Sequence, residues 1–95
     1  MERNLQWFKE CFIQHFRNYD IEYRYFPEGD FGTLNQINFN SNKYGGTIEF
    51  WGRGYTYIML YDYEHEVDLI NVMLFPNDKN TEFTWKKLEN LLNKH

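Results

Sequence analysis

Alanine is absent from this 95-residue chain, cysteine occurs once and proline twice. The single cysteine, Cys11, excludes an internal disulfide and a cysteine-based zinc cluster. It lies among apolar residues of a helical pattern, where a free thiol is expected to pack as a small buried hydrophobe. No apolar run approaches the ~18 residues of a membrane-spanning helix, and the N-terminus lacks the basic-then-apolar layout of a secretory signal. The expected compartment is a reducing cytoplasm, with no membrane partner. Cations are also scarce: ten Lys and Arg stand against fourteen Asp and Glu, for a formal charge of −4. Nucleic-acid binding draws most of its free energy from cationic contacts with phosphate, so this balance disfavours a nucleic-acid partner. It favours a basic protein, because opposite net charge steers encounter.

Aromatic residues stand where alanine does not: nine Phe, eight Tyr and three Trp. Residues 1–95 suffice for one domain with one modest core. Residues 2–19 place Leu5, Phe8, Phe12, His15, Phe16 and Tyr19 at helical spacing opposite Arg3, Glu10, Gln14 and Arg17, which predicts an amphipathic helix with His15 at its rim. "DIEYRYFP" alternates Ile21, Tyr23 and Tyr25 against Glu22, Arg24 and Phe26, and Pro27 is expected to end that strand. "TLNQINFN" reads as a weaker strand, "NSNKYGG" as a loop and "TIEFW" as a third strand. The glycines of "GRG" suit a tight turn; a phosphate loop would need other spacing and a following helix. "YTYIMLYDY" and "VDLINVMLF" complete the sheet. "TEFTWKKLENLLNK" predicts a second helix with a stripe of Trp85, Leu88, Leu91 and Leu92, capped by Asn80 or Thr81. Consecutive strands with short links point to an antiparallel meander. The fold class is therefore α+β: two layers, a five-stranded sheet with both terminal helices packed on one face.

The last two strands form the most informative stretch. Matching apolar positions pairs Leu60 with Ile70 and Ile58 with Val72, which implies an odd-numbered loop at Glu64-His65-Glu66. Tyr55, Tyr57, Met59, Tyr61 and Met73 then share the face away from the helices, near Trp51. The same register sets Asp62 opposite Asp68, with Glu64 and Glu66 just beyond, and like charges directly opposite are destabilising. Trp51, Tyr55, Tyr57, Tyr61, Asp62, Tyr63, Glu64, Glu66 and Asp68 are thus the candidate partner-binding residues, since Tyr, Trp and Met are enriched at interfaces.

Other chemistry fits less well. The carboxylates around His65 match no calcium-loop spacing, and one histidine is too few for zinc or iron, so no metal or other cofactor is expected. No nucleophile, base and orienting group recur together, and a filled core of this size leaves little room for a catalytic pocket. An enzyme is not expected. Residues 53–60, "RGYTYIML", resemble the RNP1 motif of RNA-recognition domains, whose strand aromatics stack on bases. Thr56 stands where that motif has Gly or Ala, and Leu60 where it has an aromatic. A single-stranded RNA-binding module is the alternative, and a homodimer through the tyrosine face is a further possibility.

In its overall order, and in the segments "LQWFKECF", "FGTLNQINFNSNKYGGTIEFWGRG" and "FTWKKLENLL", the chain resembles the small immunity proteins of bacterial polymorphic-toxin and contact-dependent growth inhibition systems. The likeness is one of size, acidity and Asn- and aromatic-rich composition, and it carries no residue roles. It implies a cytoplasmic protein that binds and neutralises a cognate toxin domain, often a nuclease, from its own locus.

Overall fold

The computed structural model describes residues 2–94. Five antiparallel strands form one open sheet in the order β1-β2-β3-β4-β5, with a helix before it and a helix after it. The strands are β1 (Asp20–Gly29), β2 (Gly32–Asn40), β3 (Tyr44–Trp51), β4 (Thr56–Asp62) and β5 (Val67–Leu74). This is the two-layer α+β meander that the alternation implies, since short links between consecutive strands leave antiparallel pairing as the simplest arrangement.

Two boundaries move. β1 runs through Pro27 to Gly29, and its pairing with β2 slips between Phe26 and Gly29. Proline is tolerated there because β1 is an edge strand and the slip relieves the ladder of its missing donor. β3 begins at Tyr44, so the two glycines expected in a loop lie inside the sheet. A Cβ on Gly46 would collide with the Met59 carbonyl and the Phe39 ring, and one on Gly45 with the Tyr63 hydroxyl. Glycine is there to admit close neighbours.

The N-terminal helix is shorter and less regular than its periodicity predicts. A single α-turn, α1 (Leu5–Trp7), passes into a π-helical turn over Phe8–Phe12 and a 3-10 turn over Ile13–Phe16. Phe8, Phe12 and Phe16 are all buried. In a regular α-helix each four-residue step advances about 40° around the axis, so three such rings would drift off a common line. The wider turn, with Ile13 N–H donating to the Phe8 carbonyl, offsets that drift and keeps all three on the sheet. Cys11 is exposed rather than buried. It precedes Phe12 by one residue, about 100° around the helix, which turns it out of the apolar line. His15 sits at the rim, edge-on to Phe12 at 4.9 Å, with Nδ1 3.3 Å from Asn93 Oδ1.

The second helix, α2 (Thr81–Leu92), buries Thr84, Trp85, Leu88 and Leu92. Neither Asn80 nor Thr81 caps it through an accepting side chain. Asp78 organises the entry instead, accepting from Asn80 N–H at 2.9 Å and Phe75 N–H at 3.2 Å. Both helices pack on one face of the sheet, where Ile37, Ile48, Ile58 and Leu60 are fully buried beneath them. Trp85 links the layers, lying parallel to Phe50 at 6.0 Å and edge-on to Trp7 at 4.9 Å. No described helix is long and apolar enough to cross a membrane.

Candidate functional site: the open sheet face

With both helices on one side, the opposite face of the sheet is left without a second layer. Strand parity and register assign its residues in four rows. One runs Phe26, Leu34, Trp51. The next runs Arg24, Gln36, Glu49, Tyr57, Met73. A third runs Glu22, Asn38, Thr47, Met59, Asn71, and the last Asp20, Asn40, Gly45, Tyr61, Asp68. The face therefore carries four carboxylates (Asp20, Glu22, Glu49, Asp68) and one guanidinium, Arg24.

The first row is largely structural. Trp51 covers the β1–β2 hairpin so closely that a Cβ on Gly29 would collide with its ring. Phe31 lies 5.5 Å from Trp51 and 4.7 Å from Tyr55, and Leu34 is buried between Phe26 and Trp51 in the register. Trp51 and Tyr55 thus anchor a small satellite cluster at one end of the face.

The middle of the face is polar and tied together. Asn38 Nδ2 donates to Gln36 Oε1 at 3.0 Å, and Gln36 Nε2 donates to Glu49 Oε2 at 2.8 Å. Trp51 Nε1 donates to the other Glu49 oxygen at 3.2 Å. On the β5 side the Tyr57 hydroxyl donates to Asn71 Oδ1 at 2.8 Å, and Asn71 Nδ2 donates to Asp68 Oδ2 at 3.0 Å. Burial raises the Tyr57 phenol above its ordinary value of 10.0, and the negative charges of Asp68 and Glu49 add to that. Such side-chain chains restrict the rotamers of the groups they join.

Farther along, Tyr61 and Tyr63 meet edge-on at 5.7 Å, and the Tyr63 hydroxyl donates to Asn40 Oδ1 above Gly45. Glycine at position 45 leaves room for that phenol.

The hairpin end differs from expectation in a way that removes a conflict. Leu60–Ile70 and Ile58–Val72 pair as the apolar match requires, but a bulge follows, and beyond it Tyr61 faces Asp68 and Asp62 faces Val67. The turn accordingly spans Tyr63 to Glu66 rather than three residues. The extra residue at Leu69 turns that side chain toward the core and Asp68 out onto the open face. The opposed Asp62–Asp68 pair does not form.

Asp62 lies on the helix side and is buried. Its Oδ1 accepts from Glu64 N–H at 2.9 Å and His65 N–H at 3.2 Å, and its Oδ2 lies 2.8 Å from His65 Nδ1. The His65 hydrogen bond and two backbone N–H groups hold the carboxyl below 3.8, and the same bond raises the imidazole above 6.5. Asp62 is a turn-closing residue whose carboxylate is taken up by the turn's own donors. Glu64 and Glu66 are exposed on the turn, Glu66 in the left-handed region at φ 55°.

Of the candidates, Tyr57, Tyr61, Tyr63 and Asp68 come together on one surface, Trp51 and Tyr55 flank it, and Glu64 and Glu66 extend it at the tip. Glu49, Gln36 and Asn71 belong to the same surface and escaped the sequence reading, although the parity of Glu49 against Ile48 and Phe50 contained the signal. At the end of the sheet that carries Trp51 and Tyr55, a groove of about 740 Å³ opens between Arg3, Asn35, Phe50, Thr56 and Trp85. In it Arg3 forms a forked pair with Glu82 at 2.9 and 3.1 Å and lies over the Trp7 ring at 4.9 Å. No family model, curated protein or solved structure matches the chain.

Proposed function

We propose that the chain is a non-enzymatic immunity protein that binds and neutralises a basic cognate toxin domain through its open sheet face and the adjoining Glu64–Glu66 tip. The observation that carries this reading is the uncovered face itself, with phenols, amides and carboxylates hydrogen-bonded into fixed positions and only Arg24 as a cation. Preorganised side chains lose little entropy on docking, and half-exposed tyrosines supply contact area with few rotatable bonds. The acids match a basic surface, and if the toxin is a nuclease they stand where its substrate phosphates would. In such an interface Tyr57 and Tyr61 would dominate affinity, while the exposed acids would mainly speed association.

The test is binding of the toxin domain encoded at the same locus by a Glu64→Lys/Glu66→Lys/Asp68→Lys variant and by Tyr57→Ala. The acid variant is expected to associate at least tenfold more slowly, and the tyrosine variant to dissociate faster. Wild-type rates in both would exclude this surface as the contact. The RNA-binding alternative has less support: Tyr57 lies on an exposed face as base stacking needs, but the Glu49 and Asp68 carboxylates stand beside it where phosphates would have to lie.

A further inference from the structure

At the centre of the open face Glu49 is a half-buried carboxylate with no cation within salt-bridge distance among the described residues. Arg24, the only cation in the four rows, lies two strands away, and its guanidinium sits over the Phe26 ring at 5.1 Å. Adjacent strands are about 4.8 Å apart, so the two charged groups start roughly 10 Å from each other. Half-buried carboxylates usually have a cation or several donors. Glu49 has two neutral donors, one on each oxygen: Gln36 Nε2 on Oε2 and Trp51 Nε1 on Oε1.

That arrangement fixes the plane of the carboxylate and leaves about one acceptor site free on each oxygen. A pair of parallel acceptors, one per oxygen, is the geometry a guanidinium fork fills with two N–H bonds, whereas an ammonium fills it as a point charge. The aromatic surroundings agree. Tyr57 is the direct register partner of Glu49 and Trp51 lies two residues along the same strand, so the carboxylate stands among aromatic side chains of the kind a guanidinium favours.

We infer that Glu49, held by Gln36 and Trp51 and flanked by Tyr57, is the receiving site for an arginine side chain of the protein partner. This rests on the reading of the open face as a docking surface for a basic protein, and it adds which side chain the centre of that surface selects. Placing a partner arginine there would neutralise an unpaired carboxylate in a position that docking shields from water, so the contact would strengthen as the interface closes.

The experiment uses the intact chain and small probes: acetyl-arginine amide, acetyl-lysine amide and the neutral isostere acetyl-citrulline amide. The Trp51 indole N–H donates directly to Glu49, so its resonance reports the carboxylate. Arginine amide is expected to shift it saturably, lysine amide to bind several-fold more weakly, and citrulline amide to leave it unmoved. Glu49→Gln removes the charge, keeps an acceptor oxygen for one of the two neighbouring donors and should abolish the arginine response, while Asp68→Asn should preserve it. Added salt should weaken arginine binding to the wild-type chain, an arm that needs no variant. An equal response to arginine and citrulline, or an unchanged response in Glu49→Gln, overturns the inference. The two readings fail separately. If toxin affinity survives Glu49→Gln but is lost in the tip and Asp68 variants, only the arginine site is wrong. If the toxin domain does not bind at all, the functional reading is wrong whatever arginine amide does.

Discussion

At the scale of single residues, two adjacent glycines separate neighbours that can yield from neighbours that cannot. A Cβ on Gly46 meets backbone at Met59 and the buried Phe39 ring, whereas one on Gly45 meets the far end of Tyr63. Gly46→Ala is expected to cost about 2–3 kcal/mol or more, as overpacking against a fixed wall does. Gly45→Ala should cost about 1 kcal/mol, the value of the Tyr63–Asn40 hydrogen bond. Urea unfolding of the two variants checks the order, and equal costs would contradict it. Glu49 and Asp62 make a related point about charge. Both are acids at strand positions, yet one faces the open surface between two neutral donors while the other is consumed in closing a turn.

At the scale of elements, the β4–β5 turn holds a pH-dependent contact. His65 is raised above 6.5 by Asp62, so its contribution is full below 6.5 and fades as pH climbs through the raised value. Asp62 is lowered below 3.8, so its contribution is full above 3.8 and fades as pH falls through the lowered value. The pair therefore supports the turn most between those limits. The Tm of the wild type should exceed that of His65→Gln near pH 5.5 by more than it does near pH 8.5, and a constant difference would contradict the assignment. The entry to α2 offers a second check. Asp78→Ala removes acceptors for Asn80 and Phe75 N–H and should cost about 0.5–2 kcal/mol in thermal or urea unfolding, while Asn80→Ala, which removes no capping side chain, should cost less.

How much of these elements was legible follows from the physics of each. Strand alternation carried the meander and the Leu60–Ile70 pairing, because burial on one face fixes parity. The bulge at Leu69 was not legible. A strict period of two treats every residue as one step, and the chain instead relieved the Asp62–Asp68 conflict by inserting one. Helical spacing located the first helix but could not foresee the π-turn, which answers the crowding of Phe8, Phe12 and Phe16 against a sheet the periodicity does not see. In the candidate site the tyrosines were conspicuous by composition. Glu49 was not, since its role depends on Gln36 from another strand.

Across the whole molecule, the sheet separates two kinds of surface. One face is sealed by aromatic helices. The other is open, preorganised and acidic on a chain of net charge −4. Association through such a face should slow with added salt, chiefly in the on-rate, because steering acts over distances that ions screen. For the proposed immunity function the most direct measurement is therefore the rate and affinity of binding to the proposed cognate toxin domain, for the wild type and for Glu49→Lys/Asp68→Lys, at low and high salt. Tight wild-type binding is expected, with salt-sensitive association and an affinity at least a hundredfold weaker in the variant. Equal affinity for both proteins, with the variant folded, would contradict the open face as the site of recognition.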